Sequence, residues 1–406
     1  MRTWVIEPRD PLIVRDGRPF GADIAGARAT SLDFPFPSTT TGGVRTRQGL
    51  GKGGNFDAAL ITQLKQLEVG GPLLVELNEN GEIADWLMTA PADALWCNLD
   101  DGNGGVYKDR AKLIRLAPLQ IPTGAFTNLP DGQWPVGTWQ YSRKPFDKPP
   151  RYWKSTQFQE WLTDPQACDG AAIEKWGHDG PPKETRTHVG IEPSSQAAIE
   201  GALYQTRGLE FTHQAKAPRV GGQRLALAIW TAADALQEGL TPFGGERRLT
   251  HWRKSGKLID TEFAGCKQSV IERIKQSRDG DSYSCRLILL TPAHFTDGYR
   301  PCWLFKVQNN VKVELNGVAI NRTQVVSGWD FDRTKSKDHP HGQPKATRRL
   351  APAGSVYFLK LKGDKHQIED WCDRLWLKCA SDDWQDRCDG FGLAMLGAWS
   401  GKLEVH

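Results

Sequence analysis

Between Ser327 and Tyr357 the chain reads SGWDFDRTKSKDHPHGQPKATRRLAPAGSVY, and this stretch rules out more folds than any other. Pro340, Gly342, Pro344 and Pro352 forbid a regular helix or central strand through its middle. Beyond Gly354 the pattern turns β-rich and apolar in SVYFLKL. A long loop is therefore delivered onto a strand. It carries Arg333, Lys335, Lys337, Lys345, Arg348 and Arg349 against Asp330, Asp332 and Asp338. A structureless loop of this length is either functional or disordered. The bland reading of its charge is a solvated surface.

At 406 residues two domains are the natural division. Charged residues at 25% and hydrophobic ones at 39% describe a folded chain, not a disordered one. No apolar run reaches the length of a membrane span, and MRTWVIEPRD lacks the pattern of a signal peptide. The eight cysteines are scattered without C-x-x-C, which argues against a zinc ribbon or a thiol redox site and for free thiols in a cytoplasmic protein. With 52 basic and 48 acidic residues, only local clustering of charge can mark a nucleic-acid surface. Sixteen Trp and fifteen Phe offer bases something to stack on, although most belong in cores.

Along the chain, Thr3–Ile6 reads as an opening strand, and Arg15-Asp16-Gly17-Arg18 as a charged turn. Ser38-Thr39-Thr40-Thr41-Gly42-Gly43, followed by Arg45 and Arg47, suits a helix start. Free amides, hydroxyls, glycines and arginines at such an end make a candidate phosphate site; a capped, closely packed helix is the alternative. Leu73–Leu77 and the turn Asn78–Glu82 predict a hairpin. Residues 98–185 read as insertions, with a helix at Thr156–Leu162. Arg186, His188 and Arg207 flank Ser194–Ala202, which has room for one or two helical turns before a strand at Leu203–Phe211. No nucleophile or metal set assembles around His188, so a hydrogen-bonding or RNA-contacting role outweighs a catalytic one. Gln223–Trp230 is a strand and Ala232–Glu238 is helix-like. Gly244-Gly245-Glu246-Arg247-Arg248 is a second candidate backbone cradle or a tight basic turn. Ser284–Thr291 and Ser355–Leu361 are strands. Asp364 caps a helix whose Ile368, Trp371, Cys372, Leu375 and Trp376 share one apolar face. Gly390, Gly392 and Gly397 form a terminal loop through which a ligand can approach the backbone.

PLIVRDGRPF, FPFPSTTTGGVRTRQG, THVGIEPSSQAAIEGALYQTRGLEF, FGGERR, GWDFDRTKSKDHPHGQPKATRRLAPAGSVYF and GFGLAMLGAW together resemble the Cmr3-type RAMP subunit of type III-B CRISPR effector complexes. The likeness spans nearly the whole chain and is weakest over 98–180. It implies an α+β protein of two ferredoxin-like (RRM-like) domains, taken as 1–215 and 216–406, with glycine-rich and basic loops. It implies a non-catalytic subunit that needs no cofactor and no membrane. Such a subunit holds the 5′ repeat-derived tag of the CRISPR RNA, and has target RNA near its tag-proximal end as a further candidate partner. It docks on the large polymerase-like subunit and on the first RAMP backbone subunit. The residues carried over as RNA-binding are Arg15, Arg18, Ser38, Thr39, Gly42, Gly43, Arg45, Arg47, Arg186, His188, Arg207, Arg247, Arg248, Arg333, Lys335, Lys345, Arg348, Arg349, Gly390, Gly392 and Gly397. The competing readings are a protein-only adaptor and a metal-independent repeat-processing endoribonuclease using His188 or His341.

Overall fold

The computed structural model describes residues 1–15, 28–29, 31–139, 144–166, 168–211, 224–330 and 343–405. Arg18, Arg333, Lys335 and His341 lie outside them, as does the expected domain boundary at 215–216. The fold is mixed α/β and rich in sheet.

The first half is built from β1 (Arg2–Pro8), α1 (Pro37–Gly51), α2 (Ala58–Lys65), β2 (Val69–Leu77), β3 (Ile83–Thr89), β4 (Ala94–Asp100), β5 (Val106–Arg115), β6 (Tyr152–Lys154), α3 (Ser155–Thr163), β7 (Cys168–Ala172), β8 (Gly177–His178), β9 (Lys183–Ile191), β10 (Ala198–Leu209), β11 (Arg224–Thr231), β12 (Gly239–Pro242) and β13 (Leu249–Ser255). Eight of these strands form one sheet in the order β8-β6-β3-β2-β11-β1-β13-β12. Strand β1 is buried along almost its whole length because it is central, with β11 on one side and β13 on the other. The β2–β3 hairpin turns where Asn78 and Glu82 predict. Residues 98–185 are more than insertions. They supply the last two strands at one end of the main sheet, β6 and the edge strand β8, and β5 and β7 of a separate three-stranded sheet β7-β5-β4.

The second half contains α4 (Ala264–Gln276), β14 (Ser282–Leu289), β15 (Lys312–Ala319), β16 (Gln324–Val326), β17 (Arg348–Leu350), β18 (Val356–Lys362), α5 (Lys365–Leu375), β19 (Lys378–Cys379), α6 (Trp384–Cys388) and β20 (Leu393–Ala398). Its sheet runs β15-β18-β14-β20-β19, antiparallel throughout. Helix α5 starts on a capping box between Asp364 and Gln367 and buries the expected face of Ile368, Trp371, Cys372 and Leu375. The main sheet takes strands up to Ser255 and the second begins at Ser282.

The two sheets share one core. Trp86, Trp96, Trp153, Trp161 and Trp230 from the first half are continuous with Leu287, Phe358, Trp371 and Leu396 from the second. Edge-to-face contacts join Trp153 to Trp96, Trp161 and Trp176, with centroids 4.8–6.1 Å apart. Helix α3 packs on both α4 and β20. At its end, buried Arg286 of β14 meets buried Asp93 at 2.5 Å, and Trp161 Nε1 donates to the other oxygen of Asp93 at 2.9 Å.

Two expectations need correction. Ser194–Ala202 is not helical. It forms the end of a long antiparallel hairpin, β9–β10, in which Val189 pairs with Leu203 and Ile191 with Ala198. Nor is Ala232–Glu238 a helix. The Ala235 amide donates to the Gln48 side chain and the Ala233 amide to Thr231 Oγ1, so these donors leave the helical ladder.

The cysteines described are free. Burial pushes the thiol of Cys266 up to about 11 and those of Cys372 and Cys379 up to about 12. Thiolate is the reactive form, so at pH 8 these groups should label slowly in the native chain and fully in denaturant. Rapid native labelling at Cys372, read by mass spectrometry, would mean that α5 is not seated as described.

Candidate nucleic-acid interface

A groove of about 1480 Å³ opens between the two halves. One wall carries Asp33, Phe34, Phe36, Pro37, Arg151, Tyr152 and Lys183. The other carries Asn321, Arg322, Gln324, Val325, Ser327 and Thr347. Three cations and one carboxylate line it, so its charge is net positive.

The helix start predicted at Ser38 is there, but its chemistry differs from expectation. Phe36 is the N-cap, Pro37 occupies the first turn, and no side chain caps the helix. Pro37, which lines the groove, preorganises the turn, and the amide of the next residue, Ser38, has no hydrogen-bond partner among the described residues. Thr40 and Thr41 do not face a ligand: they donate to the carbonyls of Pro37 and Asp389 at 2.9 and 2.7 Å.

Arg45 and Arg47 are half-buried and engaged by the protein's own groups. Arg45 pairs with Asp389 at 2.7 Å and donates to the carbonyls of Leu64, Lys65 and Leu67. Arg47 donates to Gln237 O and lies over the Trp252 ring at 5.2 Å. The Gly43 Cα faces the Phe243 ring closely, whereas Gly42 has open space. The terminal glycines admit this chain's own atoms. A Cβ on Gly390 would sit 2.6 Å from Val69 O and 2.7 Å from Gly71 O. One on Gly397 would meet the Arg286 guanidinium at 2.9 Å, and Gly392 backs onto Ser381 in the same way.

In the basic loop, Arg348 and Arg349 part company. They are neighbours on β17, and successive side chains on a strand point to opposite faces. Arg348 turns inward to the buried carboxylate of Asp386 and lies over Phe391 at 5.3 Å. His294 Nδ1 holds the other oxygen of Asp386 at 2.8 Å. Arg349 is exposed and faces Val325 across the β16–β17 ladder, on the side of that groove-lining residue. Lys345 is also exposed, beside Gly328, and its carbonyl accepts from groove-lining Ser327 at 3.2 Å.

A second group gathers at the base of the β9–β10 hairpin. Arg186 pairs with Glu184, and Arg248 lies within electrostatic reach of the same carboxylate. Arg247 is exposed with φ 50°, in a turn whose Gly245 amide donates to Ile13 O at 2.7 Å. Arg207 donates to Thr185 across the strands. His188 stacks on Tyr204 with centroids 5.0 Å apart and hydrogen-bonds Thr206 Oγ1 at 2.9 Å. Arg15 is exposed and bridges to Ser31.

Sequence reasoning missed Asp33, Arg151, Lys183 and Arg322. Asp33 accepts from Arg151 at 3.1 Å and from Lys183. Burial raises its carboxyl, but these two partners outweigh that and leave it below the ordinary value. Arg322 has no partner among the described residues. The Phe-Pro-Phe-Pro and Pro-Pro-Arg runs were visible signals for this wall; nothing in the sequence singles out Arg322.

The family model described as CRISPR-associated protein (Cas_Cmr3) matches residues 4–399. The chain belongs to that family. The expectation drawn from its ordered motifs therefore stands. No curated protein matches it. Among solved structures, the chain is similar to one in the cryo-EM structure of the Type III-B Cmr-beta complex bound to cognate target RNA and AMPPnP. That match has 14% identity and a TM-score of 0.45, covering 92% of this chain and 88% of the other. A second structure of Cmr-beta with cognate target RNA gives 15% identity, a TM-score of 0.45, and coverage of 88% and 86%. A chain of the type III-A Csm3–Csm4 subcomplex gives 8% identity, a TM-score of 0.37, and coverage of 90% and 93%. No helix among the described residues of this Cmr3 family member is long and apolar enough to cross a membrane.

Proposed function

We propose that this chain is a non-catalytic subunit of a type III-B CRISPR effector complex and holds the single-stranded 5′ tag of the CRISPR RNA in the groove between its two sheets. The observation that carries the reading is the groove itself: an uncapped helix start on one wall, and Arg322 on the other, with Lys345 and Arg349 beside the lining residues Ser327 and Val325; none of these three cations has a carboxylate partner among the described residues. Such a surface grips phosphates through amides and cations and leaves the bases to stack. Arg45, Arg47, Arg348 and the three terminal glycines drop out of the RNA-binding set, because each is consumed by packing. The large polymerase-like subunit and the first backbone subunit are the protein partners, and the setting is cytoplasmic.

The strand order of the second sheet supports a ferredoxin-like unit there. Its first strand, β14, lies between the third, β18, and the last, β20, with β15 outside β18. The segment between β14 and β15 replaces the usual first helix with turns. In the first sheet β2-β11-β1-β13 follows the same order, with β1 between β11 and β13 and β2 outside β11; β3, β6 and β8 extend it beyond β2, and β12 beyond β13. We place the domain change between Ser255 and Ser282.

The test is binding of labelled CRISPR RNA, with and without its tag, to this chain together with the large subunit. Tag-dependent binding in the wild type, lost in Arg322→Ala/Arg349→Ala while the protein pair stays intact, is the expected result. Binding indifferent to both the tag and the substitutions would leave a protein-only adaptor. Metal-independent cleavage of repeat RNA, lost in His188→Ala, would make it a nuclease.

A further inference from the structure

A second pocket, of about 390 Å³, shares no residue with the groove. It is lined by Trp303, Gln308, Asn309, Trp371, Arg374, Leu375, Lys378, Cys379 and Arg387. Three of these are cations and none is a carboxylate. Arg374 and Lys378 are exposed, with no ion-pair partner among the described residues. Arg387 is anchored through Nη1 alone, to the carbonyls of Ser381 and Asp382 at 2.8 and 2.7 Å, which leaves the rest of its guanidinium uncommitted.

A cation near the end of α5 is expected, because it offsets the helix's negative end. Arg374 suffices for that; three cations on one small pocket are an excess. The second observation is independent of charge. Trp371 is 2% exposed, lines the pocket, and its indole N–H has no hydrogen-bond partner. The indole N–H groups of Trp4, Trp86, Trp96, Trp153 and Trp399 are unpaired too, so what Trp371 brings to the pocket is the apolar wall of its ring, on which a base can rest. The frame is fixed: Trp303 Nε1 donates to Ala380 O at 2.6 Å, and Gln308 Nε2 to Trp303 O at 3.0 Å.

We infer that this pocket binds one nucleotide, its phosphate held by Arg374, Lys378 and Arg387 and its base lying against Trp303 and Leu375. The volume is at the small end for ligand sites and suits a single nucleotide, not a length of strand. Gln308 and Asn309 present amides, which can both donate to and accept from a base edge. The same chemistry has two sources: a free mononucleotide or the terminal nucleotide of an RNA strand.

Isothermal titration of the full chain with each of the four ribonucleoside monophosphates separates the outcomes. The expected result is binding of at least one of them. Arg374→Glu/Lys378→Glu should weaken it about tenfold or more, as loss of charge-assisted bonds does. Inorganic phosphate alone and the nucleoside alone should each bind more weakly than the nucleotide. Trp371→Phe, checked for folding by its melting curve, should also weaken it. The groove variant Arg322→Ala/Arg349→Ala should leave it unchanged, which keeps failure here distinct from failure of the tag reading. A short single-stranded RNA that competes only with a terminal phosphate assigns the strand end as ligand; one that never competes assigns the free nucleotide. No nucleotide binding, or binding untouched by Arg374→Glu/Lys378→Glu, overturns the proposal. So does loss of large-subunit association in that variant without any nucleotide affinity in the wild type.

Discussion

Arg286→Ala should lower the stability of the chain by about 3–5 kcal/mol, the range found when one partner of a buried ion pair is removed. Arg286 is 1% exposed and Asp93 is fully buried. The arginine also donates to Ala398 O at 2.9 Å and to the carbonyls of Trp161 and Leu162. It therefore joins β14 and β20 of the second sheet to α3 and to the segment after β3. Removing it strands a carboxylate and three carbonyls away from water. Asp93→Leu should cost a similar amount, because it leaves the guanidinium unpaired and takes the acceptor from Trp161. The double variant Arg286→Met/Asp93→Leu should be less destabilised than either single one, since no buried charge remains. Full recovery is not expected, because the three carbonyls and the indole N–H stay unsatisfied. Gly397→Ala acts on the same spot by pushing a methyl into the guanidinium. Urea unfolding of the four variants decides the matter; an Arg286→Ala loss below about 1 kcal/mol would show that the two halves do not depend on this pin.

How much of this was legible follows from the range of the interactions. The β2–β3 hairpin, α3 and α5 were readable because their signals are local: an Asn-Gly turn, a short helical run, a capping box before an i, i+3, i+4 face. The β9–β10 tip was misread because Ser, Gln and Ala have no strong strand preference, and only the long partner strand decides. The arginines show the limit more sharply. Arg45 looks like a phosphate ligand on a helix start, yet its carboxylate partner, Asp389, lies near the other end of the sequence. Arg348 and Arg349 are indistinguishable as letters, but β17 sends one into Asp386 and the other toward the groove. Glycines mislead likewise: Gly390 and Gly397 sit where backbone or guanidinium passes, which a glycine count cannot separate from a ligand cradle.

Reversing Arg322 of the groove together with its neighbours Lys345 and Arg349, none of them paired with a carboxylate among the described residues, gives the second large effect. In the pair with the large subunit, Arg322→Glu/Lys345→Glu/Arg349→Glu should weaken binding of tagged RNA by about three orders of magnitude at low salt, taking each charge-assisted contact as roughly 1.5 kcal/mol. The dependence on salt should change with it. Each phosphate neutralised on a single strand contributes about 0.7 to the slope of log affinity against log salt, so losing three contacts should flatten the slope by about 2. The two readouts guard against different errors. A misfolded variant loses affinity at every salt concentration, whereas loss of phosphate contacts shows as a smaller slope and as convergence with the wild type at high salt. Arg45→Ala is the contrasting case. It should lower stability by removing the partner of Asp389 and three backbone acceptors' donor, while its slope stays that of the wild type. If Arg45→Ala flattened the slope and the triple reversal did not, the RNA path would run along α1, as its sequence first suggests, and not through the groove.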